Sequence, residues 1–130
     1  FQVCPEEILT FPAGLPGFES NRRFVLLSSE AIAPLQCLHA VDGELPAFLV
    51  IDPNLISAEY RSTFAKSALA GVATPGVNLV WLSLITLCGD NEPPTVNLRA
   101  PVIINPEQMI GAQIVSSDRA HLARHALTAA

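Results

Sequence analysis

The sequence predicts a mostly β protein, a small antiparallel β-barrel-like domain of short strands with one or two short helices. Its 11 prolines stand between apolar runs, which favours many short strands over long helices. Half of the 130 residues are apolar and only 15% are charged, as in a globular domain with a real core. Residues 95–100 alternate between polar and apolar side chains, the period of a strand with one buried face. We therefore expect a single domain over residues 1–130.

The first elements in the chain are short apolar runs bounded by turn residues. Residues 12–17 contain two glycines and two prolines, which predict a tight non-helical loop, and Phe18 after it is expected to plug the core. Asp42 and Gly43 form a hairpin-type turn signal. The strands predicted in this half are residues 1–4, 8–11, 23–27, 36–41 and 47–51.

Residues 57–70 form the best helix candidate. Ser57 is placed to cap this helix, and Gly71 stands where a C-terminal stop is expected. Tyr60 and Phe64 are four residues apart, so they would share a face that packs into the core.

Residues 77–87 are apolar on both faces and predict a central strand that is covered on both sides, with Trp81 as a core anchor. This run is well short of the ~20 residues that a membrane-spanning helix needs. Residues 109–116 are expected to form a hairpin with the strand before them.

The stretch over residues 95–106 is the best candidate for a binding surface. Pro101 cannot donate to a ladder and predicts a bend or a sheet edge, and the strand resumes over residues 102–104 before a turn. Arg99 is the sharpest candidate because exposed arginines are over-represented in contact surfaces. Asn97 and Asn105 have an alternative role, which is only to satisfy backbone groups at the bend. The candidate partner-binding residues are Asn97, Arg99, Pro101, Asn105, Glu107 and Gln108.

Composition argues against several other functions. The net charge of −5 and a single lysine, Lys66, disfavour direct binding of nucleic acid. Three widely spaced cysteines, Cys4, Cys37 and Cys88, predict reduced thiols in a cytosolic core rather than disulfides or a zinc site. No signal peptide is visible, and a start on Phe1 suggests that a few residues precede the sequence given. We expect a cytoplasmic protein without a cofactor.

An enzymatic role is not expected, because no nucleophile elbow or phosphate-binding glycine loop is present. One alternative is a metal-dependent enzyme that uses Asp118, His121 and His125, whose spacing would place them on one face of a helix. A frayed helix or a tail over about 118–130 explains the same residues equally well. A purely structural subunit is a third possibility.

Three blocks of the sequence resemble one known family. Residues 95–106, TVNLRAPVIINP, resemble its TVNL-AP-x-x-IN-P segment, and residues 11–19, FPAGLPGFE, are similar to its FPEGLPGFE signature. Residues 50–53, VIDP, match its third landmark, and the order of the blocks is kept. This is the FliW family of flagellar assembly factors.

The resemblance implies a protein-binding regulator. Members of that family bind flagellin and the translational repressor CsrA, one excluding the other, and so relieve CsrA repression of flagellin translation. The chain departs from the family at residues 65–76, which lack the carboxylates that relatives commonly carry there. A flagellin-only chaperone without CsrA binding therefore stays open, as do the surface that each partner uses and the oligomeric state.

Overall fold

The structure, a computed structural model, describes residues 7–42 and 46–127, which form nine short strands. Three 3-10 helices, Pro53–Leu55, Tyr60–Thr63 and Lys66–Leu69, follow the fourth strand. The strands are β1 Leu9–Thr10, β2 Arg23–Ser28, β3 Gln36–Ala40, β4 Ala47–Ile51, β5 Val80–Thr86, β6 Thr95–Val96, β7 Val102–Asn105, β8 Ile110–Gln113 and β9 His125–Ala126. The predicted mostly β class is confirmed.

Seven of these strands close into a barrel in the order β4-β3-β2-β1-β8-β7-β5, and β4 pairs with β5 to complete the circle. Strand β6 pairs with β5, and β9 pairs with β6 beyond the barrel. The sequence suggested an antiparallel barrel. The observed barrel is mixed, because β1 and β8 run parallel. That pair joins strands distant in sequence, so no local turn signal announces it.

The barrel interior holds the first apolar core. Phe11 and Phe24 are fully buried there and meet edge to face with their ring centroids 5.3 Å apart. Strands β2, β3 and β4 form the meander that the sequence predicted, with Leu26 opposite Leu38 and Leu38 opposite Phe48. Met109 to Gln113 also turns back along β7, which confirms the predicted hairpin.

A second apolar core lies outside the wall that β5 and β7 form. Tyr60, Phe64 and Trp81 pack edge to face or tilted against one another, with centroid distances between 5.2 and 6.0 Å. The opposite face of β5 contributes Leu82 to the barrel interior. Strand β5 is thus covered on both sides, and Trp81 anchors the outer core, as predicted.

The helix predicted over residues 57–70 is wrong. The chain instead makes two separate 3-10 helices, because Phe64 and Ala65 between them are extended with ψ of 134° and 146°. The hydroxyls of Ser62 and Thr63 donate to the backbone carbonyls three residues earlier and so compete with α-helical bonding. Ser57 does not cap either helix with its side chain, although Tyr60 is buried as predicted.

Other expectations had mixed outcomes. Phe18 does not plug the core: its side chain is 40% exposed. Cys88 is exposed rather than a core thiol, whereas Cys37 is half-buried, and both are free. The predicted strand over residues 1–4, Cys4 and Gly43 lie outside the described residues. Among the described residues, no helix has the length and apolar character that crossing a bilayer requires.

Candidate functional site

The loop over residues 12–17 carries an aromatic side chain to the surface. Gly14 and Gly17 have φ of +68° and +86°, as expected for a loop that requires positive φ. A Cβ on Gly14 would lie 2.7 Å from the Cα of Glu19, so this position also needs the absence of a side chain. The loop closes on itself, and Phe18 emerges next to Phe48 of β4 with the ring centroids 5.4 Å apart.

The segment between β6 and β7 is a rigid turn. The Oδ1 of Asn97 accepts hydrogen bonds from the backbone N–H groups of Arg99 and Ala100, both at 3.0 Å. The hydroxyl of the buried Tyr60 donates to the backbone carbonyl of Leu98. Burial raises the pKa of the Tyr60 phenol, so this donor keeps its proton. These bonds hold Arg99 on the surface, where its side chain is exposed.

These elements enclose a hollow of about 400 Å³, here called the signature hollow. Its lining includes two exposed apolar side chains, Phe18 at 40% and Val115 at 67%. Asn97 and Gln113 are the polar residues of the lining, and Arg99 stands in the chain between the lining residues Asn97 and Ala100. The lining residues are Leu15, Pro16, Phe18, Phe48, Leu84, Asn97, Ala100, Gln113 and Val115.

Comparison with known proteins assigns the chain to a family. The sequence model of the family described as FliW protein matches residues 1–127. The chain belongs to the FliW family. It is 36% identical over 128 residues to the flagellar assembly factor FliW of Natranaerobius thermophilus, which covers 97% of this chain and 85% of that protein.

Further relatives agree with this assignment. The flagellar assembly factor FliW of Leptospira interrogans serovar copenhageni is 34% identical, over 95% of this chain and 83% of that protein. A crystal structure of the flagellar assembly factor FliW matches with a TM-score of 0.87 and 25% identity, over 99% of this chain and 91% of that one. Each of these proteins is named as a flagellar assembly factor.

The FliW fold separates the predicted partner-binding residues into two groups. Asn97 and Arg99 lie in the turn before β7, and Asn97 lines the signature hollow. Glu107 and Gln108 are exposed beyond the other end of β7, a strand of four residues that is roughly 13 Å long at ~3.3 Å per residue. The four predicted residues with accessible or half-buried side chains therefore do not form one patch.

Two of the predicted partner-binding residues have interior side chains. The prediction that they contact a partner directly is corrected for this reason. Pro101 is buried at the bend before β7. Asn105 is fully buried, and its amide nitrogen donates to the carbonyl of Val72 and to the hydroxyl of Thr74, both at 2.9 Å. Its Oδ1 accepts from the backbone of Glu107 and Gln108 at 3.1 Å. Asn105 thus has the structural role that the sequence left open.

The lining of the signature hollow contains residues that the sequence did not predict as contacts. Phe18 was assigned to the core, and Phe48 and Val115 were treated as ordinary strand residues. One signal was available for Phe18, because it follows a loop rigid enough to hold an aromatic side chain outside the barrel. Nothing local distinguishes Val115, whose exposure results from the end of β8.

The alternative metal site at Asp118, His121 and His125 is wrong. The segment is not helical, and His125 lies in β9 opposite Val96. His121 is buried, and its Nδ1 and Nε2 lie 2.6 and 3.2 Å from the hydroxyls of Ser116 and Thr63. Both ring nitrogens are therefore engaged with hydroxyl groups. Among the described residues, no three His, Cys, Asp or Glu side chains are grouped to hold a metal ion.

His121 instead fastens the C-terminal segment to the outer core. Its ring stacks on Phe64 at 5.4 Å and tilts against Tyr60 at 4.7 Å. The backbone N–H of Leu98 donates to the carbonyl of Leu122 at 2.9 Å, so this segment also supports the turn that carries Arg99. Residues 118–127 are therefore not the free tail that the sequence allowed.

Proposed function

We propose that this FliW family member is a cytoplasmic regulator of flagellar assembly that binds flagellin and a CsrA-type translational repressor, one at a time. When flagellin is bound, CsrA is free to repress flagellin translation. When flagellin has been exported, CsrA is captured and repression is relieved. Two ligands that exclude each other on one protein couple their concentrations without any chemical reaction.

The observation that carries this proposal is that two of the three family blocks line the signature hollow. Residues 11–19 contribute Phe18, residues 95–106 contribute Asn97, and residues 50–53 end the strand that carries Phe48. The exposed Phe18 packs against the half-buried Phe48, and the exposed Arg99 is two residues from Asn97 in the chain. Aromatic and arginine side chains are enriched in protein-binding hot spots. A surface of this kind serves capture of another protein rather than catalysis.

A second candidate, a flagellin-only chaperone, is favoured by one observation. Residues 65–76 contain no carboxylate, and their one charged side chain is the exposed cation of Lys66 in the 3-10 helix Lys66–Leu69. A basic RNA-binding protein would therefore find no electrostatic attraction at this segment. Binding of CsrA would then depend on the apolar hollow.

The test is a pulldown with purified flagellin and CsrA from the same organism, separately and in competition. The proposal expects each protein to be captured and each to displace the other. Capture of flagellin alone would select the chaperone, and capture of neither would refute both.

A charge reversal locates the surface. Arg99→Glu is expected to weaken capture at least tenfold, about 1.4 kcal/mol, without lowering the melting temperature, because its side chain is exposed. Arg61→Glu makes the same charge change on the exposed 3-10 helix Tyr60–Thr63 and should leave capture unchanged. A loss of folding in Arg99→Glu would instead show a structural arginine.

A further inference from the structure

The seam between β1 and β8 is the least paired closure of the barrel. The two strands share one register pair, Thr10 with Ile110, and the N–H of Thr10 donates to the carbonyl of Met109 at 2.9 Å. Beyond Ile110, β8 continues for three residues along β7, while the chain after β1 turns away into the loop over residues 12–17. One side of β8 therefore opens onto a gap.

The backbone groups that face this gap follow from the pairing on the other side. The N–H groups of Ile114 and Ser116 donate back to the carbonyls of Pro101 and Arg99, at 3.0 and 2.7 Å. Because backbone groups alternate in direction along an extended chain, the N–H and C=O of Gln113 point to the opposite side. Among the described residues, strand pairing on that side of β8 ends at Ile110.

The gap is a groove of about 420 Å³, here called the seam groove. Proline, alanine and glycine from residues 12–16 form one wall, and Ala68, Gly71 and Val72 form another. Among the described residues that line it, Glu19 alone is charged. The Oε2 of Glu19 accepts from the N–H of Gly17 at 2.8 Å, which fixes the carboxylate at the rim.

We propose that the seam groove receives an extended segment of a partner protein, which adds to the edge of β8 as an extra strand. A strand edge selects an extended backbone because only that conformation repeats its N–H and C=O groups at the matching spacing. The apolar walls select an uncharged side chain. The carboxylate of Glu19 selects a lysine or arginine near it. The occupant is thus a β-forming segment with one basic residue.

The seam groove adjoins the signature hollow, because Pro16 and Gln113 line both. A strand added along β8 would lead directly toward Phe18 and Phe48. This inference rests on the proposed function and deepens it, since it states how a bound protein reaches the hollow. It also explains why a glycine- and proline-rich loop faces a strand edge.

Two substitutions at one position test the added strand. Gln113→Pro removes the N–H that faces the groove but leaves the bonds from Ala112 and Ile114 toward β7. Gln113→Ala keeps that N–H and serves as the control, because both variants lose the side-chain bond to the carbonyl of Ala100 at 2.9 Å. The proline variant is expected to bind flagellin or CsrA at least tenfold more weakly than the alanine variant. The Glu19→Gln variant is expected to bind flagellin or CsrA more weakly at low salt than the unmodified chain does.

Hydrogen exchange of the Gln113 amide in the unmodified chain gives a second measurement that does not depend on the variants folding. This amide should exchange rapidly in the free protein and at least tenfold more slowly at saturating flagellin or CsrA. A third probe is a blocked six-residue peptide that alternates valine and threonine around one arginine, and it should protect the same amide.

The outcomes separate this inference from the proposed function. Binding of flagellin or CsrA without protection of the Gln113 amide, and with equal affinity of the two variants, overturns the groove alone. Failure of both proteins to bind, with protection by the peptide, supports the groove and refutes the proposed function. Failure of both proteins to bind, together with no protection by the peptide, overturns both. Concentration-dependent dimers that protect this amide would overturn the inference by assigning the edge to a second copy of the chain.

Discussion

Asn105→Ala is expected to destabilise the barrel without touching the binding surface. The side chain of Asn105 makes four hydrogen bonds that join the end of β7 to the following turn and to the segment over residues 72–74. Alanine cannot make any of them. The carbonyl of Val72, which accepts from Asn105 in the interior, would lose this donor.

The magnitude follows from those four bonds. At about 1 kcal/mol each the four bonds sum to about 4 kcal/mol, and solvent access at the turn amides reduces this to about 3 kcal/mol. With a slope of about 2 kcal/mol/M, the urea midpoint should fall by about 1.5 M. This is a large share of the 5–15 kcal/mol that is typical of whole domains.

Urea unfolding followed by Trp81 fluorescence measures this change, and a pulldown with flagellin measures binding in the absence of urea. Gln108→Ala is the matched control, because its exposed side chain is removed while its backbone N–H still donates to Asn105. The control should keep the unmodified midpoint. The reasoning would be refuted by an Asn105→Ala variant that unfolds at the unmodified midpoint but no longer captures flagellin, since Asn105 would then be a contact residue.

Two further perturbations test the packing. Tyr60 is the only tyrosine, and burial raises its pKa. Its contribution to stability is therefore full below pH ~10, where the phenol of the unfolded chain ionises, and is lost as the pH rises further. The urea midpoint should fall above pH ~10 in the unmodified chain and less in Tyr60→Phe; tyrosinate absorbance at pH 10 in the folded protein would contradict this. Gly111→Ala should cost about 1–3 kcal/mol, because its Cβ would lie 2.5 Å from Cζ of Phe11. Gly89→Ala, with open space around it, should melt unchanged, and equal melting of both variants would show that Phe11 gives way.

The sequence predicted those parts of the fold that local patterns encode. Strands β2, β3, β4 and β5 were placed to within a few residues, because runs of apolar side chains between turn residues are a local signal. The bend at Pro101 and the hairpin of β7 with β8 were predicted for the same reason. The parallel pairing of β1 with β8 was missed, because contact between strands a hundred residues apart leaves no local pattern.

The candidate site was predictable only in part. Arg99 is exposed as expected, although strand β6 ends at Val96 and the turn at Asn97, rather than strand alternation, holds Arg99 at the surface. Asn105 could not be assigned, because its partners Val72 and Thr74 come from a segment more than thirty residues away. The helix error arose from the same limit: the spacing of Tyr60 and Phe64 fits an α-helix, but their contacts with Trp81 and His121 are also satisfied by two 3-10 turns.

The wall formed by β5 and β7 has a consequence for how the molecule comes apart. Leu82 and Val102 belong to one core while Trp81 and Ile103 belong to the other, so we expect the two cores to unfold together. The ladder that joins Trp81 to Ile103 should then be the last to open, at the free energy of global unfolding. The loops around the signature hollow are then able to change in sequence and in partner, while the wall of β5 and β7 keeps the domain folded.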